Sequence, residues 1–97
     1  MIERHVTFRF LPTKEQEFAR FFEEEYRPAM AKTEGFLKAE LLKDMDHAQD
    51  FMMVLRFESI ASAAAWRSSG LHQGLKPQLK SLYDGSELKV LETIVKE

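Results

Sequence analysis

Residues 51 to 58, FMMVLRFE, are apolar at all but two positions. A strand sends successive side chains to opposite faces, so this segment presents apolar surface on both. Only a central strand covered on both sides accommodates that. The segment therefore constrains the rest of the chain: it needs partners along both edges and a layer over each face. The chain has 97 residues, one domain's worth, and a single domain over 1–97 is expected.

The flanking segments supply the partners. Within residues 2 to 11, Ile2, Val6, Phe8 and Phe10 share one face and Glu3, His5, Thr7 and Arg9 the other, the period of a strand with one buried side. Thr13, with Gln16 three residues on, resembles a capping box. Behind it Phe18, Phe21, Phe22, Tyr26, Ala29 and Met30 recur at helical spacing. Pro28 removes a backbone donor and predicts a kink or an end near Tyr26. After Gly35, FLKAELLK at 36 to 43 reads as a second strand and DMDHAQD at 44 to 50 as its turn. Ser59 or Ser62 can cap a second helix, which carries Ala63 to Ala65 and Trp66, loosens at Gly70 and restarts with Pro77 near its first turn. Tyr83-Asp84-Gly85 ends it, and a last strand covers roughly 87 to 95.

The resulting order, β-α-β-β-α-β, is the split βαβ of ferredoxin-like α+β folds: a four-stranded antiparallel sheet with both helices on one face. The other face is not polar enough to meet water, since Phe36, Leu42 and positions on the third and fourth strands fall on either side. A sheet with two apolar faces wants a second layer. A second copy of the chain is the expected cover, giving a homodimeric α+β barrel, because so small a domain buries a limited share of its own surface.

Charge and composition remove several function classes. With 14 basic and 16 acidic residues mixed along the chain, the net charge of -2 leaves no footprint for nucleic acid or anionic lipid. An RNA-recognition domain shares the topology but needs a basic, glycine-rich aromatic third strand, and DFMMVLRFE has no glycine and one arginine. Cysteine is absent, and with it disulfides, thiolate nucleophiles and thiolate metal sites. The start, MIERHVTFRF, lacks the features of a signal peptide, and no apolar run approaches the roughly 20 residues of a membrane span. A cytoplasmic protein is expected.

Three segments, PAMAKTEGF (28 to 36), FMMVLRFES (51 to 59) and WRSSGLH (66 to 72), resemble the antibiotic biosynthesis monooxygenase family, and the likeness extends from the first strand to the last. The resemblance implies a small dimeric α+β barrel. The family that the chain resembles includes cofactor-free oxygenases of phenols and quinols, haem-degrading enzymes, and many members with no established reaction. Haem-degrading members resemble one another in an Asn on the first strand, a Trp on the second helix and a His about ten residues later. Here Trp66 matches, but Val6 and Lys76 occupy the other two positions. The expectation is therefore a monooxygenase without cofactor, using dioxygen and a small phenolic, quinol or other aromatic substrate. A dimeric ligand-binding or stress-response protein without catalysis is the alternative on the same scaffold.

Cofactor-free oxygenation needs an electron-rich anion, because triplet dioxygen reacts poorly with closed-shell molecules. The protein must form that anion, keep it dry and admit oxygen. His72 suits the first task as base. It shares helical spacing with Leu75, Leu79 and Leu82, which turns it towards the covered face; a structural histidine with a backbone partner is the competing reading. Trp66 is a candidate wall or core residue, and Tyr26 and Met30 candidates for the facing wall. Ser69 offers a hydrogen bond to a substrate hydroxyl, or to carbonyls freed at the glycine break. Arg56 interrupts an apolar strand and suits either an anionic substrate or an ion pair with a nearby acid. His5, Thr7 and Arg9 suit a polar network where two sheets meet. Asp44, Asp46, His47 and Asp50 faintly resemble a metal loop but lack the glycine and terminal glutamate of a calcium site, and no metal is expected.

Overall fold

The computed structural model describes residues 1–96. Strand β1 (Ile2–Phe10) leads to helix α1 (Glu15–Phe21), a π turn (Phe22–Tyr26) and a short α2 (Arg27–Met30). Then come β2 (Phe36–Lys43), β3 (Asp50–Phe57), α3 (Ile60–Ser68), α4 (Gly70–Lys80) and β4 (Tyr83–Glu92). The four strands form one sheet in the order β2-β3-β1-β4, antiparallel throughout. The fold is the ferredoxin-like α+β sandwich. The doubly apolar β3 is internal, as its sequence requires, and the helices lie on one face. No helix of the described residues is long and apolar enough to cross a membrane.

Between sheet and helices, aromatic rings interlock at one end. Phe18 of α1 sits 5.3 Å from Phe8 and 5.4 Å from Phe51, and Phe10 meets Phe51 at 4.7 Å. Such tilted and edge-on contacts place positive ring edges against negative faces and fix the helix on the sheet. Gly35 has φ +87°, and an added Cβ would lie 2.1 Å from the Ser62 hydroxyl. Its carbonyl accepts from the Glu58 N–H at 2.8 Å, so this tight passage, which only glycine permits, ties the start of β2 to the end of β3.

Three local features differ from expectation and one agrees with it. Thr13 is no N-cap: its φ is +70°, whereas a cap residue needs extended backbone to reach the next turn, and α1 starts without a side-chain cap. Regular α-helix is interrupted near Tyr26, as Pro28 predicts, although the helix does not end there. The π turn immediately before the proline shifts the pattern, the Arg27 N–H reaching back to the Phe22 carbonyl, and the helix continues to Met30. The second break lies at Ser69, which is extended (ψ 152°), and Pro77 falls well inside α4 rather than at its start. Finally, Tyr83-Asp84-Gly85 opens β4 instead of closing a helix. A register shift between Arg9 and Phe10 loops out the extra residue, and the strand stops at Glu92. Ser59 does cap α3, accepting from the Ser62 N–H at 3.1 Å.

Candidate functional site

Away from the interlocked rings the layers part. A cavity of about 280 Å³ lies between β1, β3 and β4 on one side and the π turn, α3 and α4 on the other. Its apolar walls are Val6, Phe8, Met53, Leu55, Leu79 and Leu88. Tyr26, His72, Tyr83 and Ser86 add polar tips, and Arg4, Arg67 and Lys76 add positive charge. Apolar walls with a few converging polar groups are the build of a small-molecule site. Two hollows of about 370 Å³ each lie elsewhere: one by Thr7, Arg9 and Glu87 on the sheet's open face, one beside Ala19 and Leu41. Neither gathers such a set of groups.

The break at Ser69 aims His72. Ser69 Oγ accepts from the His72 N–H at 3.1 Å, capping α4, and donates to the Trp66 carbonyl at 2.7 Å. One hydroxyl thus joins the end of α3 to the start of α4. The imidazole Nδ1 lies 2.9 Å from the Arg67 carbonyl oxygen. A carbonyl only accepts, so Nδ1 carries the proton and, in the neutral ring, Nε2 carries the lone pair. Burial lowers the His72 pKa; the hydrogen bond to the Arg67 carbonyl opposes this, and the charges of Lys76, Arg4 and Arg67 add to the lowering. At neutral pH the ring is a neutral base.

Two rings back the imidazole. Trp66 is edge-on to it at 5.0 Å, Tyr26 stands 6.1 Å from it, and Tyr26 and Trp66 meet at 5.5 Å and 84°. Burial pushes the Tyr26 hydroxyl up to about 12, against the opposing pull of the Trp66 indole N–H and the Arg4 charge. It therefore stays protonated, a hydrogen-bond donor at the cavity wall. The indole N–H lies near enough to Tyr26 to act on it, yet no acceptor meets buried Nε1 at hydrogen-bonding geometry among the described residues.

The structure gathers Tyr26, Trp66, Ser69 and His72 into one cluster, although only Tyr26 and His72 line the cavity. Trp66, 1% exposed, stands one layer behind, and Met30, fully enclosed, belongs to the core. Arg56 lies on the opposite face of the sheet, where it donates to Glu3 Oε1 at 2.9 Å; His5 lies 3.5 Å from the same carboxylate. In the β2–β3 loop, Asp44 accepts from the Asp46 and His47 N–H groups, and its other oxygen pairs with the His47 ring at 3.0 Å. Those contacts give Asp44 a part in the turn, and Asp44, His47 and Asp50 each bring a potential ligand atom within 4.8 Å of the others.

Sequence reasoning missed the cations. Arg4 has the parity of Ile2 and Val6, so it sits on the buried face of β1, 9% exposed. Burial and the nearby Arg67 charge lower its pKa. Among the described residues it forms no ion pair. An arginine inside an apolar period was the available signal. Arg67 and Lys76 reach the cavity from exposed helix positions and gave none.

Comparison with known proteins agrees with this architecture. A sequence model of the family described as antibiotic biosynthesis monooxygenase matches residues 1–77. No curated protein matches the chain. Among solved structures, SnoaB, a cofactor-independent oxygenase from Streptomyces nogalater, superposes with a TM-score of 0.85 at 15% identity, over 98% of this chain and 94% of that one. A conserved protein from Methanosarcina mazei gives 0.82 at 18% identity, over 93% and 89% of the two chains. A possible oxidoreductase from Bacteroides thetaiotaomicron gives 0.80 at 16%, over 95% and 96%. At such identities the likeness is one of fold.

Proposed function

This chain belongs to the antibiotic biosynthesis monooxygenase family, and on that premise we propose that it is a cofactor-independent oxygenase of a small phenolic, quinol or other aromatic substrate. One observation carries the reading: a histidine with Nδ1 tied to a carbonyl and its Nε2 lone pair left over, at the wall of an apolar cavity rich in positive charge.

In this reading the substrate lies between sheet and helices, and its hydroxyl gives a proton to His72 Nε2. The charges of Arg4, Arg67 and Lys76 favour the anion that forms, an effect strengthened where water is excluded. The Tyr26 hydroxyl donates to a substrate oxygen. The anion passes one electron to dioxygen, the radical pair recombines into a carbon–oxygen bond, and the peroxide collapses with loss of water. All the electrons come from substrate, so no external reductant enters. Trp66 and Ser69 act as positioning residues, one packing the imidazole and the other capping the turn that presents it. A second copy of the chain against the open sheet face completes the reading, covering exposed Leu42 and Leu91; sedimentation at a monomer's mass would remove it.

The test is oxygen consumption dependent on added hydroquinones and naphthols. Replacing His72 by Gln is expected to lower turnover by roughly a hundredfold to ten-thousandfold, the usual worth of a positioned base. Full turnover in that variant would end the assignment.

A further inference from the structure

We propose that the ligand of this cavity carries a carboxylate, held by Arg4 in the interior and by Arg67 and Lys76 nearer its mouth. The inference rests on the cavity being the ligand site, as above, and does not require turnover.

Arg4 is only 9% exposed and has no acidic partner among the described residues. Buried charges are ordinarily paired, because an ion taken from water without a counter-ion is costly. This chain follows that rule elsewhere: half-buried Arg56 pairs with Glu3, and half-buried Arg27 with Glu23. At the cavity it does the reverse. Three cationic side chains line one space of about 280 Å³, and no carboxylate is among the lining residues. Arg67 acts on buried Arg4 as a like charge.

The chemistry of that anion follows from when it must be charged. A substrate hydroxyl arrives neutral and becomes anionic only during reaction, whereas Arg4 is positive throughout. A group already ionised in solution meets that standing charge on binding. A carboxylate is such a group, and its planar pair of oxygens fits the guanidinium fork. The walls of Val6, Phe8 and Leu55 then suit an attached ring. A small aromatic hydroxy acid satisfies every part of the site.

Calorimetric titration with salicylate, its neutral analogue salicylamide, and phenyl phosphate tests this. Salicylate is expected to bind at least about tenfold more tightly than salicylamide, to outcompete phenyl phosphate, and to lose that advantage in Arg4→Met. Should Arg4→Met fail to fold, the surface variants Arg67→Gln and Lys76→Gln supply the answer, each weakening salicylate severalfold and leaving salicylamide unchanged. Equal affinity for acid and amide overturns the proposal, as does salicylate binding indifferent to the variants. Tighter binding of phenyl phosphate overturns it in favour of a phosphate ester. A carboxylate preference without substrate-dependent oxygen uptake leaves this inference standing and removes the oxygenase reading. Uptake on neutral phenols without the preference does the opposite.

Discussion

Glu3 and Arg4 are consecutive residues of one strand, and the sheet treats their charges in opposite ways. On the open face Glu3 lies opposite Arg56 in the β1–β3 register and accepts from it at 2.9 Å, with His5 close by. On the helix face Arg4 lies opposite Leu55, beside a cavity, with further cations around it. The first arrangement is complete within the chain. The second is complete only with something added. Unbalanced charge, more than the presence of a hollow, separates a surface built for stability from one built for binding.

The comparison can be broken at several strengths. Truncating Trp66 to Ala removes the packing behind His72 and should cost about 3–5 kcal/mol in chemical denaturation. A loss below 1 kcal/mol would show that the helix layer is not anchored there. Arg4→Met should act with the opposite sign, stabilising the ligand-free protein by about 1–3 kcal/mol because it removes a buried unpaired charge. A lower melting temperature in that variant would mean Arg4 already has a counter-charge. On the open face, a double-mutant cycle of Glu3→Gln and Arg56→Gln should give a coupling no larger than about 1 kcal/mol, since both groups remain partly solvated and screened. A coupling several times larger would erase the contrast.

Acid should also separate the faces. The His72 pKa is lowered in the folded protein, so the unfolded chain takes up its proton first as pH falls below the usual 6.5. The stability involved is present above that value and lost progressively down to the folded pKa, whereas turnover falls only as pH passes through the folded pKa itself. Glu3 titrates later. Burial works to raise its pKa, but the hydrogen bond and charge of Arg56, with those of His5, bring it below 4.5. Its contribution is full above 4.5 and lost below. Two acid steps in a stability profile, the upper one absent in His72→Gln, are the expected result; a single step, below 4.5, would remove the His72 assignment.

Much of this was readable in the sequence. The period of two in β1, the doubly apolar β3 and the phenylalanine stripe of the first helix report burial directly, and burial decides the fold. His72, Trp66 and Tyr26 surfaced because titratable and aromatic groups beside a helix break are unusual. Caps and strand ends were less visible. Thr13 has the right side chain in the wrong backbone conformation, and Asp84-Gly85 serves a bulge as well as it would a turn. Arg56 drew attention as a charge on an apolar strand, whereas Arg4, in the same situation two strand positions from Val6, did not. Which of the two is paired depends on what faces them across the fold, and no local pattern records that.

The π turn has a consequence for chain length. Five residues, Phe22–Tyr26, occupy a turn that ordinary helix makes with about one fewer, and the middle three are exposed glutamates. The helix therefore carries a spare residue between buried Phe22 and Tyr26, where Glu23 pairs with Arg27 and Glu25 accepts from Gln78 at 3.2 Å. Deleting Glu24, which shares neither of these contacts, is expected to let the turn close to α geometry while Phe18 upstream and Met30 downstream keep their seats. A one-residue deletion within β1 would exchange its faces, carrying Arg4 out of the cavity and Glu3 into it. The turn that can give up a residue adjoins the tyrosine that walls the cavity.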